Sequence, residues 1–278
     1  MTASPADTPL RPLIEKGYEV MLVSHAHAIL TVDFPTVLDE ITSVLIDLQI
    51  PIEEIIGSGG GETKGTQRLR RGLAAHGWAK KNFTIEKRIN GVPREAISHE
   101  VDHVRDVISA EGEATSIALE IEWNNKDPFF DRDLENFKRL HAEGAISAGV
   151  IVTRGSTLQD DVEAMVRRWV DENNIDSHDD LATLGVEPTT RQKRDVMKRV
   201  TRDKNPVPFR EAWTRHFVGD KFGAATTHWS KLHDRVKRGV GNPCPLLLIG
   251  IPSSVVTFGE DPDVVAALLE EGAPSTDD

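Results

Sequence analysis

Glu120 and Glu122 stand at i and i+2 in the run Ser116-Ile-Ala-Leu-Glu-Ile-Glu-Trp-Asn-Asn-Lys-Asp127. Side chains of a β-strand alternate between faces, so the two acids share one face while Ile117, Leu119 and Ile121 share the other. The run before it, His99-Glu-Val-Asp-His-Val-Arg-Asp106, leads into a turn over 110–114, and Asp102 reaches the same neighbourhood if the two strands pair. Carboxylates that close repel one another unless a positive charge neutralises them, and oxygen donors suit a divalent cation. The pattern admits a hydrolytic metal site. A Glu-x-Glu alone is more often the wet face of a half-buried strand. The polar stretch that follows, threaded with Trp123, Phe129 and Phe130, points instead to a built site.

The elements that must position these acids follow from periodicity. Spacings of three and four predict a helix over 34–48, a second over 63–76, and others after Asp131 and over 162–170. Alternation predicts a strand over 78–88, closed by a turn at Gly91-Val-Pro93. The continuous apolar runs 145–153 and 246–251 read as strands buried on both faces. Strand, helix, strand and helix in that order give an α/β fold, a mixed central β-sheet flanked by helices. Residues 1–12 read as a disordered lead, 13–270 as a single domain and 271–278 as an acidic tail.

The 278-residue chain carries a net charge of −12, yet residues 187–245 hold fourteen Lys and Arg against six Asp and Glu. An acidic frame with one basic region attracts a polyanion to one place and repels it elsewhere. The candidates are Arg191, Arg194 and Lys198 in a helical stretch over 181–204, then His228, Lys231, Arg235, Lys237, Arg238 and Asn242. A glycine-rich loop, Gly57-Ser-Gly-Gly-Gly-Glu62, opens the helix that bears Lys64, Arg68 and Arg71. Its spacing matches neither a Walker A loop nor a dinucleotide fingerprint, so nucleic-acid phosphate is the better ligand. His25 and His27 read as a surface pair and the lone Cys244 as structural, which excludes an internal disulfide. No apolar run is long enough for a membrane span, and a cytoplasmic, soluble protein is expected.

An Asp on one strand followed by Glu-x-Glu on the next, continuing as Trp-Asn-Asn-Lys-Asp127 and Phe130-Asp-Arg-Asp-Leu134, resembles the PD-(D/E)xK nucleases. More closely it resembles the type II restriction endonucleases typified by BamHI and BglII, in which Glu or Gln replaces the usual last Lys. The resemblance covers roughly residues 50–160, with a weaker echo at about 225–251. It implies Mg²⁺-dependent cleavage of double-stranded DNA at a short palindrome by a homodimer, beside a methyltransferase that masks the host's sites. Asp102 and Glu120 are then metal ligands, and Glu122 contacts a second ion or orients the attacking water. Glu100 and Asp106 stand as substitutes for Asp102; Glu62 or Gln67 completes the site. Lys126, if the strand continues, stabilises charge on the phosphate. A repair or junction-resolving nuclease of the same fold, and a catalytically silent DNA-binding protein, are the alternatives.

Overall fold

The computed structural model describes residues 8–57 and 63–259. The chain runs through helix α1 (Arg11–Glu15), strand β1 (Glu19–Val23), α2 (Ala26–Val32), α3 (Pro35–Ile46), β2 (Ile50–Pro51), α4 (Ile52–Ile56) and α5 (Lys64–Ala75). It continues with β3 (Ala79–Ile89), β4 (Val92–Ile108), β5 (Ala114–Glu122), α6 (Phe129–Ala142), β6 (Ala148–Arg154) and α7 (Ser156–Glu172). Then come α8 (His178–Thr183), α9 (Thr190–Val200), α10 (Phe209–Lys221), α11 (Trp229–Lys237), β7 (Leu246–Ile251) and β8 (Val256–Thr257).

Two compact units divide these elements: of the described residues, 8–48, 69–155 and 227–252 form one, and 49–57, 63–68, 156–226 and 253–259 the other. The first holds a six-stranded sheet in the order β1-β7-β6-β5-β4-β3. Strands β5, β6 and β7 run parallel, while β1 and the β3–β4 pair join antiparallel. The sheet is therefore mixed, and the α/β reading holds.

Burial explains why β5 is central. Leu119, Ile121 and Val152 lie beneath Ile41, Val44 and Leu45 of α3 and Leu69 and Leu73 of α5. On the other face Ala118, Ile151 and Leu248 join Phe130, Leu134 and Phe137 of α6 and Leu232 of α11 in one buried cluster. Each such Leu, Ile or Phe contributes about 1.5–3 kcal/mol when fully buried. Gly149 of β6 sits where an added Cβ would lie 2.3 Å from Phe137, so α6 can rest on the sheet only over a glycine. With both faces covered, any acid on β5 is forced out of water.

Several expectations shift. The β3–β4 turn falls at Asn90-Gly91, both at positive φ, rather than at Gly91-Val-Pro93; that pair suits the tight turn matched to strand twist. The basic stretch over 181–204 is two helices, because Gly185 and Pro188 break it between α8 and α9. Of the lead expected over 1–12, Thr8 and Leu10 are buried and Arg11 opens α1; residues 1–7 and the tail at 271–278 lie outside the described residues.

The second unit contains α4, α7, α8, α9 and α10, with β2 and β8 paired in parallel. Trp213 stacks on Phe217 at 5.1 Å in its core, and Arg210 ties α10 to Asp176 at 2.7 Å. The expected recognition region 187–245 is thus split, residues 187–226 belonging here and 227–245 to the sheet unit.

Candidate active site

Strand β5 delivers Glu120 and Glu122 to one face, and both are buried, at 5 % and 3 % exposure. Burial raises each acid above the ordinary carboxylate range, and the charge of Asp133 adds to it, pushing Glu120 up to about 9 and Glu122 up to about 8. Both shifts favour the protonated acids at neutral pH, even with the Arg132 charge drawing Glu122 back down. They are not the wet face of the strand.

Asp102 lies across from Glu120. The β4–β5 register pairs His103 with Leu119 and leaves Asp102 next in line, its main-chain N–H facing Glu120 Oε1 at 3.4 Å. A bulge helps to aim it: against β3, Ala79 pairs with Val104 and Lys81 with Val101, so Asp102 and His103 together oppose Lys80 alone. Lys80 holds the Asp102 carboxylate at 3.3 Å and that of Glu100 at 2.8 Å. Asp106 lies elsewhere, opposite Ser116, whose hydroxyl donates to it at 2.6 Å while Lys81 pairs with it at 2.8 Å. Those two partners hold its carboxyl below the usual range.

Helix α6 adds two residues that sequence reasoning missed. Asp133 is 1 % exposed, and its Oδ1 accepts from Arg132 Nε at 2.8 Å and lies 2.8 Å from Nη2. Its Oδ2 is buried and meets no well-aligned hydrogen-bond donor among the described residues, its carboxyl stands against that of Glu122, and burial raises its pKa. Arg132 Nη2 also lies 3.6 Å from Glu122 Oε1, so one guanidinium serves both acids. A signal was present: Phe130, Asp133, Leu134, Phe137 and Leu140 form the buried stripe of α6, and an Asp there has no reason to be apolar filling.

The loop after β5 is stapled in place. Buried Arg154 donates from Nε to the Trp123 carbonyl at 2.6 Å and from Nη2 to the Thr227 carbonyl at 2.7 Å, and the Thr227 N–H donates to the Asn125 carbonyl at 2.8 Å. Asn125 then donates from Nδ2 to Glu122 Oε2 at 2.7 Å. Because β5 ends at Glu122, its alternation does not carry on to Lys126, which stands exposed in the loop. Arg132 is the cation that the fold brings to these acids.

Among the described residues no three His, Cys, Asp or Glu side chains already converge as a set of metal ligands. Glu62, expected to complete the site, lies outside the described residues, whereas Gln67 is on α5.

The expected DNA contacts fall into groups. Arg71, Lys237 and Arg238 are exposed, as are Arg191, Arg194 and Lys198 on α9, and Lys64 is half-buried. Asn242 is exposed and accepts from the Ser24 hydroxyl at 3.1 Å. Others are committed within the fold. Arg68 grips buried Glu54 at 2.6 Å and donates to the Gln49 carbonyl at 2.7 Å. Arg235 is buried between Asp131 at 2.9 Å and Asp127 at 3.4 Å, and Lys231 stands 3.7 Å from Asp127. His228 is buried at the start of α11, its Nδ1 3.1 Å from the Ser230 hydroxyl. Arg68, Arg235 and His228 are thus engaged by the fold where a free DNA contact was expected.

No helix among the described residues is long and apolar enough to cross a membrane. No curated protein matches the chain. The family model described as Restriction endonuclease BglII/BglIII matches residues 18–251, from β1 through β7, and takes in β5 with its two buried acids. The match covers well over half of the 278 residues, and the chain belongs to the BglII/BglIII family of restriction endonucleases.

Proposed function

We propose that this restriction endonuclease uses a PD-(D/E)xK site of the Glu-x-Glu kind, with Asp102, Glu120 and Glu122 as its acids, to cut both strands of a short palindrome in a Mg²⁺-dependent reaction. The observation that carries the reading is the pair Glu120 and Glu122, buried side by side on one face of β5 with buried Asp133 adding its charge to theirs. The donor set suits Mg²⁺: every candidate ligand is a carboxylate oxygen, and buried Asp133 stands against Glu122 with its Oδ2 turned into the protein. Mg²⁺ bound there supplies the positive charge that ionises the acids, activates water and steadies the phosphate.

The residues have separable tasks. Asp102 and Glu120 hold the cation, and Glu122, oriented by Asn125, takes a proton from the attacking water. The water oxygen bonds to phosphorus as the P–O3′ bond breaks, and O3′ leaves with a proton from solvent, giving a 5′-phosphate and a 3′-hydroxyl. A symmetric pair of subunits places one such site on each strand of a palindrome. Arg191, Arg194, Lys198, Lys237, Arg238 and Arg71 supply phosphate or base contacts, and a methyltransferase of matching specificity protects the host.

Long duplex DNA incubated with purified protein and Mg²⁺ tests this. Discrete fragments with palindromic ends in Mg²⁺ and none in EDTA are expected; a smear, or cutting only at junctions, refutes site-specific restriction, and uncut DNA under Mg²⁺ and Mn²⁺ refutes the catalytic site.

A further inference from the structure

Arg132 stands between buried Asp133 and Glu122, beside the acids of β5. Phosphodiester cleavage builds negative charge on the non-bridging oxygens as the water oxygen bonds to phosphorus and the P–O3′ bond breaks, and a preorganised donor there is worth far more than one recruited from solvent. The acids of β5 cannot be that donor. Lys126, the first residue to be expected in the role, stands out in the loop. Lys80 is spread over Asp102 and Glu100. Arg235, on α11, is buried between Asp127 and Asp131.

Arg132 differs in having one edge engaged and one open. Its Nε and Nη2 meet buried Asp133 at 2.8 Å, with Nη2 3.6 Å from Glu122. Its Nη1 makes no hydrogen bond among the described residues, and the side chain is 54 % exposed. Phe129 lies under the guanidinium, 4.5 Å from ring centre to Cζ, and helps to fix its plane. A side chain anchored on one edge by a buried carboxylate loses little freedom when its other edge is used.

We infer that Arg132 is the phosphate-binding cation of this site, its Nη1 edge donating to a non-bridging oxygen of the scissile phosphodiester while Asp133 keeps the inner edge. The inference rests on the reading of Glu120 and Glu122 as the hydrolytic centre, and the substrate group is the backbone phosphate itself, without regard to base.

Three proteins separate the two claims: wild type, Glu120→Gln and Arg132→Gln, each measured for single-turnover cleavage in Mg²⁺ and for DNA affinity in Ca²⁺ across a salt series. Arg132→Gln should cut about 100-fold or more slowly, the loss seen when one preorganised donor is removed. Its plot of log affinity against log salt should flatten by about 1.8, two phosphate contacts' worth, one from each subunit of the dimer. Wild-type cleavage and an unchanged salt slope in Arg132→Gln, with Glu120→Gln inactive, overturn the role of Arg132 and leave the centre standing. Wild-type cleavage in both variants overturns the centre itself, and the inference with it. Should Arg132→Gln fail to fold, Arg132→Gln/Asp133→Asn removes the charge pair together and is read by the same salt slope: a flattened slope supports the contact and an unchanged one overturns it.

Discussion

Asp102 presents its main-chain N–H to Glu120 Oε1 at 3.4 Å across the β4–β5 ladder, while Asp106, four residues on, is held by Ser116 and Lys81. The β4–β5 register makes the difference: Asp106 pairs with Ser116, four residues before Glu120, whereas Asp102 follows the His103–Leu119 pair. If Asp102 is the first acid of the proposed site, Asp102→Asn should lower single-turnover cleavage by about 100-fold or more, the scale of losing one preorganised electrostatic group. Asp106→Asn, which alters an exposed ion pair of little energetic weight, should cut within about threefold of wild type. Fragment yield over time on a plasmid distinguishes them, and a reversed order would move the first acid to Asp106.

The raised pKa values of Glu120 and Glu122 carry a signed prediction for stability. Glu120 and Glu122 are pushed up to about 9 and about 8 in the folded protein, whereas in the unfolded chain each titrates near the ordinary glutamate value of 4.5. Between those limits the folded state binds more protons than the unfolded one, so stability falls as pH rises, by up to about 1.4 kcal/mol per pH unit for each such acid. Urea melts in EDTA at pH 5.5, 7 and 8.5 should show the midpoint dropping steadily. Glu120→Gln should flatten that slope, and Mg²⁺ should restore the midpoint most at high pH, where the acids are ready to release their protons. A midpoint that climbs through this range would mean that the acids are already ionised and paired.

How far the sequence led is clearest at β5 and α6. Alternation along β5 placed Glu120 and Glu122 together, because a period of two is a local property of the strand. Whether that face was wet or buried was not local: it depends on Phe130, Leu134 and Phe137 covering it, and α6 comes later in the chain. The same helix put Asp133 against the acids and Arg132 beside Glu122, contacts that no spacing rule carries. Arg235 shows the converse. Its place in a basic run suggested a DNA contact, yet its partners Asp127 and Asp131 lie more than one hundred residues upstream, and only the packing of α11 near α6 reveals that it is spoken for. The bulge at Asp102 and His103 left no mark in composition at all.

Arg68 yields a prediction about folding where the sequence suggested binding. Its guanidinium meets Glu54 Oε1 at 2.6 Å and Oε2 at 2.9 Å, and the Glu54 side chain is only 1 % exposed. Removing one partner of a buried pair strands the other charge, a cost of about 3–5 kcal/mol. Arg68→Ala should lose about that much in a chemical melt, whereas Arg68→Ala/Glu54→Leu should regain much of it because no charge is left buried. If Arg68→Ala instead melts like wild type and weakens DNA binding, the pair is dispensable and the arginine belongs to the DNA interface.

Helix α9 offers the opposite case. Arg191, Arg194 and Lys198 have side chains 84 %, 64 % and 67 % exposed, and their shared partner Asp195 sits no closer than 3.6 Å to any of them. Pairs that loose and wet contribute little to stability, so Arg194→Ala/Lys198→Ala should melt within about 0.5 kcal/mol of wild type. Their capping box at Thr189 and Gln192 is untouched, and the helix should persist. On DNA the same variant should bind more weakly at every salt concentration, with a log–log slope shallower by about 3.6 if both cations of each subunit meet phosphates. Loss confined to the preferred site, with binding to unrelated DNA unchanged, would instead assign them to base edges. Fluorescence anisotropy in Ca²⁺ with matched and scrambled duplexes separates these outcomes, and equal binding by variant and wild type on both duplexes would reduce α9 to a solvated helix.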